Sequence, residues 1–268
     1  MANLSIKEMI NAGVHFGHQS KYWNPKMRPY IYTTYKKLHI INLEESVSHF
    51  NTAITFIEKL TKNNAKILFV GTKRAARDLI GKYATEAKMP YVNNRWLGGM
   101  LTNFDTIKKS IAKLDSLKAY LDLATLNGLT KKESLNVKKQ IAKLEKNLSG
   151  IKNLDNKTDA LFVIDTRYEK IAIQEANKLN IPVIAIVDSN NSFEGVDYMI
   201  PGNDDSMSSI DLFLKSVTDV IMNTKSKFIK PASQANEGKP TDSSAKMVKK
   251  KQVLEVEVKS DKKNIEEV

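Results

Sequence analysis

The chain has 268 residues, 41% hydrophobic and 27% charged, enough for one large core or a core with an appendage. It contains no cysteine, which excludes disulfides, thiolate metal sites and cysteine nucleophiles and fits a reducing compartment. Its net charge of +12 points to a polyanionic partner. No apolar run reaches the roughly 18–20 residues of a membrane span, and MANLSIKEMINAG lacks the basic start and apolar block of a secretory signal.

Residues 1–12 read as a short helix with Ser5 as N-cap. The next stretch, GVHFGHQSKYWNPKMRPYIYTTYKKLHIINL, mixes Gly, Pro, aromatics and bases and sustains no helical period; only His39–Leu43 reads as a strand. Between Ala2 and Leu43 stand Lys7, Lys21, Lys26, Arg28, Lys36 and Lys37 against the single acid Glu8, interleaved with Phe16, Tyr22, Trp23, Tyr30, Tyr32 and Tyr35. Cations for phosphate and flat faces for splayed bases are the chemistry of RNA recognition; the alternative is that the aromatics pack a loop onto the body.

Glu44–Thr61 is an amphipathic helix, and Lys66–Val70 a buried strand followed by a helix over Lys73–Ala87 that Thr72 would cap. GTKRAAR lacks the spacing of a phosphate loop, and G-x-G-x-x-G is absent. Lys73, Arg74 and Arg77 form either an anion site at a helix start or a solvated face. Pro90–Val92 starts another strand and leads into YVNNRWLGGMLTNF (91–104), with one of two tryptophans, one of five arginines and the only Gly-Gly pair. There Arg95 and Trp96 offer a cation and a ring to a ligand, or Trp96 and Leu97 fasten a projecting element to the core.

From Asp105 the pattern changes. Ile107, Ile111, Leu114, Leu117 and Leu121, then Val137, Ile141, Leu144, Leu148 and Ile151, recur at threes and fours around a turn at Asn127-Gly128. This reads as an antiparallel coiled-coil hairpin over 105–152, either a grip for a partner or a spacer. The α/β pattern resumes with a strand at 160–165, a helix over Arg167–Leu179, a strand at 181–188, a short strand and turn over 199–205, and a helix over Ser206–Thr224. Residues 226–268 have the composition of a disordered basic tail.

The expected fold is therefore an α/β, parallel-sheet, three-layer (flavodoxin-like) domain over 1–104 and 153–225, with the hairpin inserted and the tail appended. Asp165 and Asp188 end strands and Asp204 and Asp205 follow another, where open α/β sheets hold ligands. His18 with Asp188, Asp204 and Asp205 is a candidate site for a divalent metal, zinc or magnesium; the alternative is that each Asp caps a helix or turn. No cofactor is required by any motif, and hydrolase and kinase signatures are absent.

AGVHFGHQSKYWNPKMRPYIY, HIINLE, ILFVGTKRAA, NNRWLGGMLTNF, ALFVID, IPVIAIVD and VDYMIPGNDD, in this order across roughly 5–215, resemble bacterial small-subunit ribosomal protein two. The resemblance implies an α/β sandwich with an inserted coiled-coil hairpin and a non-catalytic, cytoplasmic, ribosome-associated component of the small subunit. It implies a place between head and body, binding to small-subunit rRNA, contacts with neighbouring ribosomal proteins, help in recruiting the mRNA-binding ribosomal protein one, and no membrane. On that reading the RNA-facing set is Lys21, Trp23, Lys26, Arg28, Lys36, Lys37, Arg74 and Arg95. An alternative from another class is a metal- or nucleotide-dependent enzyme using Asp165, Asp188 and Asp204.

Overall fold

The computed structural model describes residues 4–126, 131–152, 154 and 158–229. The chain divides after Lys225 into two units, the second described only over 226–229. Asn127-Gly128 and the stretch 230–268 lie outside the described residues.

Helix α1 (Ile6–Asn11) starts at Ser5, the N-cap that the sequence suggested, and Glu8 completes a capping box: Glu8 N donates to Ser5 Oγ at 3.2 Å and Ser5 N to Glu8 Oε2 at 2.9 Å. The stretch after it, expected to be irregular apart from one strand, instead forms three. Strands β1 (Phe16–Gln19), β2 (Ile31–Tyr35) and β3 (Leu38–Ile41) make an antiparallel sheet in the order β1-β3-β2. Two-residue alternation over four or five residues, broken by register shifts in both pairings, is too short to stand out among Gly, Pro and aromatics.

The β2–β3 turn is Lys36-Lys37, with φ of 48° and 66°. Both residues are left-handed, the pattern that two-residue hairpins normally fill with Asn or Gly; an L-residue there costs about 1–2 kcal/mol. Lys37→Gly should raise stability by about 1 kcal/mol, or roughly 2–4 °C in Tm by calorimetry. An unchanged or lower Tm would mean that tip contacts already repay the strain.

The main sheet holds β4 (Ile67–Val70), β5 (Tyr91–Val92), β6 (Ala160–Ile164), β7 (Val183–Val187) and β8 (Tyr198–Pro201), all parallel, in the order β5-β4-β6-β7-β8. Counted among themselves these strands run 2-1-3-4-5, the flavodoxin-like order. The strands β4, β6 and β7 are buried throughout, which explains their unbroken apolar runs. Alternate residues feed two core layers. Ile67, Phe69, Phe162, Ile164, Ile184 and Ile186 pack with α2 (Leu43–Lys62), α3 (Arg74–Glu86) and α7 (Met207–Ile229). Leu68, Val70, Leu161, Val163, Val183 and Ala185 pack with α6 (Lys170–Lys178) and with Trp96, Met100 and Phe104.

Helices α4 (Phe104–Leu126) and α5 (Lys131–Leu148) stand between β5 and β6, where a crossover helix would otherwise lie. The segment leading into α4 and the residues closing α5, Leu148 and Ile151, take over that helix's task of covering the sheet. The expected seam positions Ile107, Leu114, Ile141 and Leu148 are buried, while Tyr120 and Leu135 face solvent. Lys152 Nζ lies 2.7 Å from Asp115 Oδ1, and Lys118 pairs with Glu145.

Several boundaries and one cap differ from expectation. α6 begins at Lys170, not Arg167, because the Asp165 side chain accepts from Arg167 N (2.9 Å) and Tyr168 N (3.1 Å) and holds 165–168 in a turn. α7 runs past Thr224 to Ile229. Thr72 does not cap α3: its N and Oγ1 both donate to Glu169 Oε1, each at 2.6 Å, and Lys73 occupies the cap position without a side-chain hydrogen bond.

Candidate functional site

The carboxyl ends of the parallel strands meet at one edge, so residues far apart in sequence converge there. Lys73 follows β4, Asp165 ends β6, Asp188 ends β7, and Asp204 follows β8. Lys73 Nζ lies 2.6 Å from Asp204 Oδ1 and 3.2 Å from Asp165 Oδ2, and it also pairs with Asp205. Asn191 Nδ2 donates to Asp204 Oδ2 at 2.7 Å and to Asp165 Oδ1 at 3.2 Å. Asp165, Asp188, Asn191 and Asp204 are all buried. Lys73 is therefore an internal counter-ion rather than part of an anion site, which corrects one of the two readings of its motif.

His18 belongs to the same cluster through β1. Its Nδ1 is 3.1 Å from Asp188 Oδ2 and its Nε2 is 3.1 Å from Asp205 Oδ2. Only the doubly protonated ring can donate to both, and the hydrogen bond to Asp188 raises the imidazole pKa against the opposing effect of burial. Burial, with the nearby Asp188 and Asp165 carboxylates, raises the Asp204 pKa, and the Lys73 ammonium opposes that rise. Burial would depress the Lys73 ammonium, but Asp204, Asp205 and Asp165 outweigh it and hold its pKa above the ordinary lysine range.

His18, Asp188, Asp204 and Asp205 each offer one ligand atom, and these atoms lie within 4.8 Å of one another. An imidazole with carboxylates suits zinc, and the oxygens alone suit magnesium. A cation entering here would have to displace Lys73 from Asp204 and Asp205 and take a proton from His18.

The small sheet is seated on this edge. His18 N donates to Ser189 Oγ at 2.8 Å, Asn24 N to Ser189 O at 2.8 Å, and Asn24 Nδ2 to Asn191 O at 3.0 Å. Its inward side includes His39, whose Nδ1 lies 3.1 Å from Thr34 Oγ1 and whose ring packs tilted against Trp23 with centroids 5.2 Å apart. Trp23, expected to face RNA, is thus half-buried against the protein itself. Tyr30 likewise packs edge-on to His49 and Phe193. Lys26 is exposed but paired with Glu194. Lys21, Arg28, Lys36, Lys37, Arg74 and Arg95 are exposed.

A further buried acid, outside that cluster, organises the stretch between β5 and α4. Glu175, on α6, accepts from Trp96 Nε1 (3.1 Å), Gly99 N (2.7 Å), Leu101 N (3.0 Å), Thr102 N (3.3 Å) and Thr102 Oγ1 (3.3 Å). Burial alone would raise its pKa, but these donors outweigh burial and hold it below the ordinary carboxylate range. Gly99 is required by its φ of +83°, which turns the chain so that its N–H reaches Glu175. Trp96 is 8% exposed, so of its two roles it takes the structural one, while Arg95 beside it faces solvent. In the sequence Glu175 stands on the helix expected over 167–179 with no motif to give it a role. Its signal was a lone acid among Ala172, Ile173 and Ala176, all of them buried.

Among the described residues, no helix is long and apolar enough to cross a membrane. A family model described as ribosomal protein S2 matches residues 9–224. The match spans both sheets, the strand-end cluster, the Glu175-bound loop and helices α4 and α5. The chain belongs to the ribosomal protein S2 family.

Proposed function

We propose that this structural protein of the small ribosomal subunit binds small-subunit rRNA through cations held on its folded body. The observation that carries the reading is the segment between Glu8 and Glu44, which holds Lys21, Lys26, Arg28, Lys36 and Lys37 and no acid. Arg74 at the start of α3 and Arg95 after β5 extend the basic surface. Phosphate contacts would set position, and the shape of the folded RNA would supply selectivity.

Six exposed cations, Lys21, Arg28, Lys36, Lys37, Arg74 and Arg95, predict a steep salt dependence. If each contacts one phosphate, affinity for small subunits lacking this protein should fall about 10³-fold between 50 and 200 mM salt. Arg95→Ala should flatten the slope of log K against log salt by about 0.7–0.9. Equal binding at low and high salt would overturn the phosphate mechanism, and an unchanged slope for Arg95→Ala would assign Arg95 to structure.

In the same proposal, α4 and α5 form a coiled-coil hairpin that projects from the α/β body, with Lys118–Glu145 and Asp115–Lys152 across it. The protein would lie between head and body of a cytoplasmic ribosome and help recruit the mRNA-binding ribosomal protein one. A second reading concerns the strand-end cluster. His18, Asp188, Asp204 and Asp205 would hold a structural zinc or magnesium ion, favoured by the closeness of their donor atoms. The enzyme alternative has no such support: Asp165 and Asp204 converge on Lys73 and Asn191, this chain's own side chains.

A further inference from the structure

The three-stranded sheet has two unlike sides. Thr34 and His39 face each other across β2 and β3; His39 is buried toward the body, while β2 is exposed along Tyr32–Tyr35, with Tyr32 at 76%. Alternation then sends Thr33, Tyr35, Leu38 and Ile40 to the other side. The pairings Thr33–Ile40–Phe16 and Tyr35–Leu38–Gln19 arrange that side as two rows of three. Phe16 is 45% exposed and Tyr35 62%, with the half-buried Leu38 and Ile40 between them. This is an aromatic and aliphatic sheet face turned to solvent.

Its surroundings are cationic. The strained Lys36-Lys37 turn borders it, with Lys36 Nζ 5.3 Å from the Tyr35 ring centroid. Ser20 N donates to Lys37 O at 2.9 Å, which brings Lys21 to the same tip, where its Nζ lies 4.5 Å from the Tyr22 ring. An apolar face with bases at its tip suits a partner that offers flat rings and negative charge together.

We infer that this face, Phe16 and Tyr35 with the Lys21, Lys36 and Lys37 tip, is a stacking platform for unpaired RNA bases. The inference rests on the RNA reading above and adds to it the kind of RNA and the way it is held. Duplex bases are stacked on one another and have no free face, so only a single-stranded segment can use both rings. The two residues lie two strand spacings across and two residues along the sheet from each other, roughly 12 Å, room for two separately stacked bases. The strained turn fits this role, because backbone strain that persists in a fold collects where function uses it.

The test measures binding of full-length protein to a labelled 12-nucleotide oligouridylate and to an RNA duplex of the same length, across a salt series. The single strand should bind more tightly than the duplex. Tyr35→Leu and Phe16→Leu should each weaken it about tenfold or more without changing the salt slope. Tyr35→Phe, which keeps the ring, should bind as the parent does. Lys36→Gln should instead flatten the slope by about 0.7. Thermal melts accompany each variant; if Phe16→Leu fails to fold, Tyr35→Leu against Tyr35→Phe decides. Binding of neither RNA by the parent protein would overturn the RNA reading itself. Binding of RNA that both Leu variants leave intact would overturn the platform alone. Duplex preferred over single strand, with a neighbouring protein lost from subunits rebuilt with Tyr35→Leu, would assign the face to a protein partner.

Discussion

Glu175→Ala should lower the stability of the folded protein by about 3 kcal/mol or more, a drop of roughly 6–12 °C in Tm. One buried carboxylate satisfies five donors, three of them backbone N–H groups in the loop between β5 and α4. Alanine leaves those donors without an acceptor, with Trp96 buried and Gly99 and Leu101 half-buried, and each buried unsatisfied donor costs about 1–3 kcal/mol. Glu175→Gln should fall between, since an amide keeps one acceptor oxygen and turns its NH₂ group toward other donors. The effect carries a pH signature. The Glu175 pKa is held below its unfolded value, so its stabilisation is complete above about pH 4.3 and fades as pH falls through the lower folded pKa. The two proteins should therefore differ fully at neutral pH and converge in acid. Urea titrations at pH 7 and below pH 4 would show this. A gap that stays constant with pH would mean that the carboxylate's charge is not what holds the loop. Because that loop carries Arg95 and leads directly into α4, the variant should also weaken association with the small subunit.

Lys73→Met should cost a similar amount, about 3–5 kcal/mol, because it strips the cation from buried Asp165 and Asp204 while leaving their carboxyls in place. Adding Asp204→Asn to that variant should restore part of the loss, since the double change removes both members of the pair. If the two substitutions are simply additive, Lys73 is not the counter-ion that the geometry makes it. The same variant tests the metal reading. Zinc or magnesium has to compete with Lys73 in the parent protein but not in Lys73→Met. Added cation should therefore raise the Tm of the variant more than that of the parent, in a concentration-dependent way. If the cations leave both melting curves unmoved, the metal proposal ends there.

The elements that carry long or strongly patterned signals were legible from residues alone. The helical periods of α4 and α5, the apolar runs of β4, β6 and β7 and the Ser5 cap of α1 are local facts, set by neighbours within a few residues. The small sheet was not legible, because its strands owe their existence to partners across the chain: β1 pairs with β3, and both pairings shift register. The candidate RNA residues divide the same way. Side-chain chemistry identified the cations, but only tertiary contacts turned Trp23 onto His39, paired Lys26 with Glu194, and left Phe16 and Tyr35 on an open face.

The sequence by itself determined the class of fold, the place of the two inserted helices, the basic character of the surface and the resemblance that the family match bears out. Composition and periodicity are properties of short windows, and each of these conclusions needs nothing longer. Only the tertiary structure decided what the isolated charges do. Lys73 and Asp204 stand 131 positions apart, and Trp96 and Glu175 stand 79 apart. No local pattern links them. They meet because a parallel sheet gathers its strand ends at one edge, and because burial at that edge obliges every charge to find a partner.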